Sequence, residues 1–195
     1  MSGLAPALLR VVSLACAASL FACERHEPPP ELMPIAPFAL IDQRGEPFGT
    51  EQLRGKVWIA DVIFTSCPGV CPTLTSQMAN LSRRLPARDD LRFVSVTVDP
   101  EVDTPERLRE YAARFGADPA RWSFLTGERE AVHHAIERSL RLPVGDREPA
   151  GEGYDILHAS RFLLVDQRGV LRGTYSTDAE GLGELERDAR MLLDP

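Results

Sequence analysis

The apolar positions fall into blocks of two kinds. Residues 57–64 (VWIADVIF) and 91–98 (LRFVSVTV) are almost continuously apolar and rich in β-branched and aromatic side chains, the pattern of strands covered on both faces. Between them, residues 73–85 space their apolar positions as one face of a helix. Residues 38–48 split into two short apolar pieces around Asp42-Gln43-Arg44-Gly45, which predicts a hairpin. Thr104-Pro105 opens a helix with a capping side chain and a proline at its first position, and Gly116 closes it. Residues 122–125 read as a short strand and 128–140 as a helix. Residues 161–166 and 170–175 read as strands turned at Gln167-Arg168-Gly169, and 179–193 as a terminal helix. Residues 141–155 are rich in Gly, Pro and charge and carry no period, so they read as a loop. This alternation predicts an α/β fold, a central mixed β-sheet flanked by helices, with an N-terminal β-hairpin.

The first 23 residues follow a different logic. Arg10 is their only charge, and residues 11–21 form an apolar run too short to span a bilayer. The run ends at Ala22-Cys23 and gives way at once to a polar, Pro-rich stretch. This arrangement resembles the lipobox of a bacterial lipoprotein, in which the cysteine is acylated and becomes the first mature residue. The alternatives are an ordinary signal peptide cut elsewhere and an uncleaved short anchor. On the first reading, residues 1–22 are a lipoprotein-type signal peptide and 23–36 a Pro-rich membrane tether, semi-extended because proline favours extended backbone. Residues 37–195 are the folded domain. The protein is then expected in the bacterial cell envelope, held to a membrane by lipid on Cys23 and facing the periplasm.

Composition narrows the chemistry. The chain has 195 residues, 44% hydrophobic and 26% charged, enough for one packed core. Its 22 basic and 29 acidic residues give a net charge of −7, which argues against nucleic acid as a partner, since that needs a basic face. Four cysteines are too few for a disulfide scaffold. Cys16 leaves with the signal and Cys23 carries lipid, so Cys67 and Cys71 alone remain in the domain. A bridge between them would close very little chain entropy, and the pair reads as a working pair.

That pair lies in Cys67-Pro68-Gly69-Val70-Cys71-Pro72, where a buried strand ends and a helix begins. Each proline disfavours helical geometry in the cysteine before it. Cys71 is therefore expected as the cap residue, with Pro72 at the first helical position. The positive end of a helix lowers a thiol pKa, which is expected of both sulfurs. Such a pair can cycle through a disulfide or grip a soft metal ion; a plain structural disulfide is the third reading. Three intervening residues leave room for an ion without excluding a disulfide. Two thiolates would profit from a nitrogen ligand. His26 falls in the tether, and His133 and His134 on a helix surface. His158, between a loop and a buried strand, reads equally as a core imidazole or a ligand. Asp61 interrupts an apolar strand six residues before Cys67. It is either a buried carboxyl of raised pKa that shuttles protons to a thiol or a strand-end aspartate bonded to backbone.

Three segments in this order, FTSCPGVCP at 64–72, VTVDPEVDTPERLREY at 96–111 and His158 ahead of RFLLVDQRG, resemble the Sco/SenC family over residues 37–195. The resemblance implies a thioredoxin-like fold and a copper-binding factor for cytochrome c oxidase assembly. It implies Cys67, Cys71 and His158 as copper ligands, with Asp99 beside them in an orienting or charge-balancing part. Gly69 departs from the family, which more often has a polar or larger residue there. Soft thiolates favour Cu(I) and imidazole also suits Cu(II), so either state is carried. The expected partners are the copper-site subunit of the oxidase, with its binuclear centre, and periplasmic copper donors or thiol–disulfide reductants. An enzyme, a membrane-tethered thiol–disulfide oxidoreductase acting on the cysteines of such partners, is the alternative, and a thiol peroxidase a weaker third. Asp103 is expected to help the next helix start. The charged loop 141–155 is expected as a solvated loop, or as the mobile element that brings His158 to the sulfurs.

Overall fold

The computed structural model describes residues 27–67, 69–151 and 153–194. The signal segment, Cys23, His26 and Pro68 lie outside the described residues. Eight strands form one sheet: β1 (Met33–Pro34), β2 (Ala39–Asp42), β3 (Pro47–Gly49), β4 (Val57–Ile63), β5 (Leu91–Thr97), β6 (Trp122–Thr126), β9 (Phe162–Val165) and β10 (Val170–Tyr175). Their order across the sheet is β1-β10-β9-β4-β5-β6-β2-β3. The central trio β4, β5 and β6 is parallel, and the flanking strands run antiparallel. This is the mixed α/β arrangement the hydrophobic pattern predicts.

Every residue of β4 is buried, Asp61 included, as the unbroken apolar run requires. Burying each large apolar side chain there contributes roughly 1.5–3 kcal/mol. The helices are α1 (Thr50–Leu53), α2 (Val70–Arg84), α3 (Pro105–Arg114), α4 (Arg129–His133) and α5 (Ala179–Leu193). The α2 and α3 helices make the crossovers that parallel strands need. The α3 start is as expected: Thr104 Oγ1 accepts the Arg107 N–H at 3.4 Å, and Pro105 follows it. The hairpin β2–β3 is also present. Asp42 Oδ1 accepts the backbone N–H groups of Arg44 at 2.8 Å and Glu46 at 3.1 Å, and Gly45 takes φ +82°.

Three segments differ from the sequence reading. Helix α2 begins at Val70 rather than at 73. The helix expected over 128–140 is α-helical only to His133 and continues as a π-helical turn over His134–Ser139. Most consequential, 141–155 is not a loop. It holds most of a second, two-stranded antiparallel sheet, β7 (Val144–Ala150) and β8 (Gly153–His158). Four of the seven β7 residues are exposed and none is buried, so no apolar alternation marks it in the sequence.

The Pro-rich arm is docked where it is described. Met33 and Pro34 pair with Leu171 and Val170, and the Arg172 guanidinium donates to the Pro29 and Pro30 carbonyls. Pro28 shares a cavity with Arg168, Arg172 and Leu192. That end of the fold holds Gly55, just before β4, bonded to the Gln167 carbonyl at 3.0 Å. Cys67 and Cys71 follow the other end of β4.

Candidate metal centre

The chain leaves β4 at Phe64 and reaches Cys67 in three residues. The backbone N–H of Cys67 donates to the Phe64 carbonyl at 3.3 Å. Asp103 pins the intervening turn: it accepts the Thr65 N–H at 3.0 Å, the Thr65 hydroxyl at 2.5 Å and the Thr97 hydroxyl at 2.5 Å. Asp103 therefore ties the cysteine turn to the end of β5, and the helix-starting part expected of it falls to Thr104 alone.

Gly69 is the N-cap of α2, so Cys71 stands inside the first turn and is not the cap residue. Pro72 costs nothing there, because first-turn N–H groups have no partner within the helix. One of those free groups, the Cys71 N–H, points at Cys67 Sγ at 3.4 Å. The Cys67 sulfur thus takes the place of a capping oxygen. Further along the turn, Thr75 donates to the Cys71 carbonyl at 2.9 Å and meets the Tyr111 hydroxyl at 2.9 Å, so the backbone under Cys71 is fixed from below.

His158 ends β8 and brings Nε2 to 3.3 Å from Cys71 Sγ. The ligand atoms of Cys67, Cys71 and His158 all lie within 4.8 Å of one another, close enough to share one small ion. Both cysteines are free thiols and buried. Burial pushes the Cys71 thiol well above its ordinary pKa, with the Cys67 sulfur adding to the effect. This corrects the expectation of two acidic thiols: for Cys71, loss of hydration outweighs the helix end. Burial acts the other way on His158 and lowers its pKa, so the imidazole is neutral near pH 7 and its nitrogen lone pair is available.

The remaining predicted residues lie around this centre rather than in it. Asp61 is fully buried in β4 opposite Ser95, whose hydroxyl donates to Oδ1 at 2.5 Å. Among the described residues its Oδ2 has no hydrogen-bond partner, and burial raises its pKa to about 7. It is therefore the buried carboxyl of raised pKa and not a strand-end aspartate. Asp99 is buried at the end of β5 and binds Arg147 and Tyr154 of the hairpin. His133 and His134 lie outside the cluster. Arg147 and Tyr154 reach the site through Asp99 and Phe64, and no pattern in the sequence singles them out.

The model of the SCO1/SenC family matches residues 28–192. The chain belongs to the SCO1/SenC family. A SCO1 protein homolog of Bacillus subtilis is 35% identical over 144 residues, covering 73% of each chain. Among solved structures, a SCO1/SenC family lipoprotein from Bacillus anthracis has a TM-score of 0.73 at 33% identity, over 83% of this chain and 96% of that one. Bradyrhizobium japonicum ScoI, solved with copper bound, has a TM-score of 0.71 at 26% identity, over 81% and 98%. The SCO1/SenC fold is thus the thioredoxin-like one that the family resemblance implies. Two thiolates and an imidazole suit copper in either oxidation state.

Proposed function

We propose that this protein is a copper carrier of the cell envelope that supports assembly of the binuclear copper centre of cytochrome c oxidase. Cys67, Cys71 and His158 hold the ion, and lipid on Cys23 holds the protein to the membrane, facing the periplasm. The observation that carries the reading is the convergence of two buried sulfurs and one imidazole within 4.8 Å. Three donors leave one side of an ion open, through which ligands of a receiving subunit can take it. The Bradyrhizobium relative with copper bound and the Bacillus anthracis lipoprotein support the reading by family. The docked arm supports it by geometry: the Pro-rich segment leaves the fold at the end of β4 remote from the donors, so the anchor leaves the donors free of the membrane surface.

The test is a copper titration of both redox forms. The dithiol takes up one copper ion, and the Cys67–Cys71 disulfide takes up none. Equal uptake by the two forms refutes the carrier role.

A second reading has an observation of its own. Cys67 and Cys71 are unbridged and adjacent, and a buried carboxyl, one oxygen of which has no partner among the described residues, lies in the strand leading to them. A thiol–disulfide oxidoreductase acting on the cysteines of copper-site partners would use those features. It has no need of His158, which the carrier requires.

A further inference from the structure

The hairpin β7–β8 pairs with itself and is no part of the eight-stranded sheet. An isolated two-stranded hairpin is marginal in water, and most of β7 faces solvent. Yet this hairpin carries His158 to two sulfurs held by the body of the fold. Asp99 fastens one to the other. Its own N–H donates to Thr97 Oγ1 at 2.9 Å, which fixes it to the end of β5. Its Oδ1 accepts from the Arg147 guanidinium of β7, and its Oδ2 from the Tyr154 hydroxyl of β8 at 2.5 Å. One oxygen thus grips each strand.

From the grip a short chain of packed rings leads to the imidazole. The Arg147 guanidinium lies over the Tyr154 ring, 4.5 Å from its centroid. Tyr154 stacks on Phe64 at 6.0 Å, and Phe64 meets the His158 ring edge-on at 5.9 Å. A metal-binding histidine is usually oriented by an acceptor on its second ring nitrogen. Here Nδ1 is buried, and among the described residues it has no partner of good hydrogen-bond geometry. The place of the ring is therefore set by the strand that bears it and by Phe64.

We propose that Arg147 and Tyr154 are positioning residues for copper: gripping the two oxygens of Asp99, they latch the hairpin so that His158 stays on the ion held by Cys67 and Cys71. This rests on the copper reading above. Opening the latch withdraws the imidazole and leaves the ion on two thiolates, the more easily taken state. Arg147 is 40% exposed, and Glu101 lies 3.7 Å from it as a second carboxylate. An acidic group on a receiving protein would compete for the same guanidinium.

The test uses the reduced full chain loaded with one equivalent of Cu(I) and follows loss of the ion to a competing Cu(I) chelator. Tyr154→Phe removes the hydroxyl and keeps the ring; Arg147→Gln, on a solvent-facing strand, removes the charge without touching the core. Each is expected to speed copper loss about tenfold or more. Each is expected to weaken the imidazole-nitrogen coupling in the electron paramagnetic resonance spectrum of the Cu(II) form. The midpoint potential of the Cys67–Cys71 couple stays at the wild-type value. In a His158→Ala background neither substitution adds anything. The latch is refuted if both variants lose copper at the wild-type rate with unchanged nitrogen coupling, or if their effect persists undiminished in the His158→Ala background. Wild-type copper retention by His158→Ala alone would instead overturn the copper reading itself.

Discussion

Cys71 Sγ and His158 Nε2 lie 3.3 Å apart across 87 residues of sequence. One stands in the first turn of a helix fixed to the core, the other at the end of a strand outside the main sheet. The contact joins two parts of the fold that no backbone ladder connects. Replacing His158 by alanine is expected to weaken copper binding by at least about tenfold, since even groups that merely orient a ligand are worth that much. Thiol titration of the variant should find the same number of reactive sulfhydryls in unfolded protein as in the wild type, and the folded variant should keep an unaltered far-ultraviolet circular dichroism spectrum. Copper competition against a chelator of known affinity measures the loss, and an unchanged affinity contradicts the ligand role.

Copper uptake should be coupled to proton release. The Cys71 thiol is held above its ordinary pKa by burial, so near neutral pH it keeps its proton until a metal displaces it. His158, lowered from 6.5, contributes no proton near pH 7. The affinity for copper is therefore expected to fall as pH drops from 8 to 6, by about tenfold per pH unit for each thiol proton displaced. Loading in weakly buffered solution with a pH indicator counts the protons directly. A copper affinity constant across that range would contradict the protonated Cys71.

Most of the body of the fold was legible in the sequence, and most of what holds His158 was not. Strands β4 and β5 announce themselves because both faces are covered, so burial leaves unbroken apolar runs. Helix α3 is legible because its start is written in local chemistry, Thr104 and then Pro105. The hairpin β7–β8 follows neither rule. Its strands pack little against the core, Ile156 being the one buried apolar side chain in them, and its attachment runs through Asp99, Arg147 and Tyr154, which are polar partners distant in sequence. Such pairing leaves no period to read. The start of α2 was misplaced for a related reason: the prolines predict where Cys67 and Cys71 avoid helical geometry, but the capping group is a sulfur, Cys67 Sγ on the Cys71 N–H, which residue preferences do not anticipate. Likewise Asp103 looked like a helix-start residue because of its neighbour Thr104, while its three hydrogen bonds go to Thr65 and Thr97.

Asp103 is expected to be among the costly positions outside the metal ligands. It is fully buried, and its removal leaves the Thr65 N–H and the hydroxyls of Thr65 and Thr97 without their acceptor. An unpaired buried polar group costs roughly 1–3 kcal/mol; the Thr97 hydroxyl is buried and the Thr65 groups only half-buried, so Asp103→Ala should destabilise the protein by about 1–3 kcal/mol. Asp103→Asn keeps one acceptor oxygen and should cost less. Chemical denaturation of the metal-free, reduced protein measures both. Loss of stability below about 1 kcal/mol in the alanine variant would mean that the turn before Cys67 is held by other contacts.

Asp61 offers a sharper test, because its effect changes with pH. Burial raises its folded pKa to about 7 from the ordinary 3.8, while one oxygen accepts from Ser95 and the other has no partner among the described residues. Below about pH 4 the group is protonated in both folded and unfolded chains and contributes nothing to the difference. Between about 4 and 7 the unfolded chain ionises and the folded one does not, so stability falls as pH rises; above 7 both are ionised and the loss is constant. At about 1.4 kcal/mol per pKa unit the full loss is on the order of 4 kcal/mol. Asp61→Asn removes the titration and leaves an amide that still accepts from Ser95, at the cost of a buried N–H group with nothing to donate to. The variant should therefore melt above the wild type at pH 8 and lose that advantage by pH 5, in the metal-free reduced form. A gap between the two melting curves that does not move with pH would show that Asp61 is not a carboxyl of raised pKa. The same variant bears on the oxidoreductase reading, since a carboxyl that passes protons to a thiol should, when replaced, slow disulfide exchange at Cys67 and Cys71. Exchange at the wild-type rate would leave Asp61 as a buried group whose effect is on stability alone.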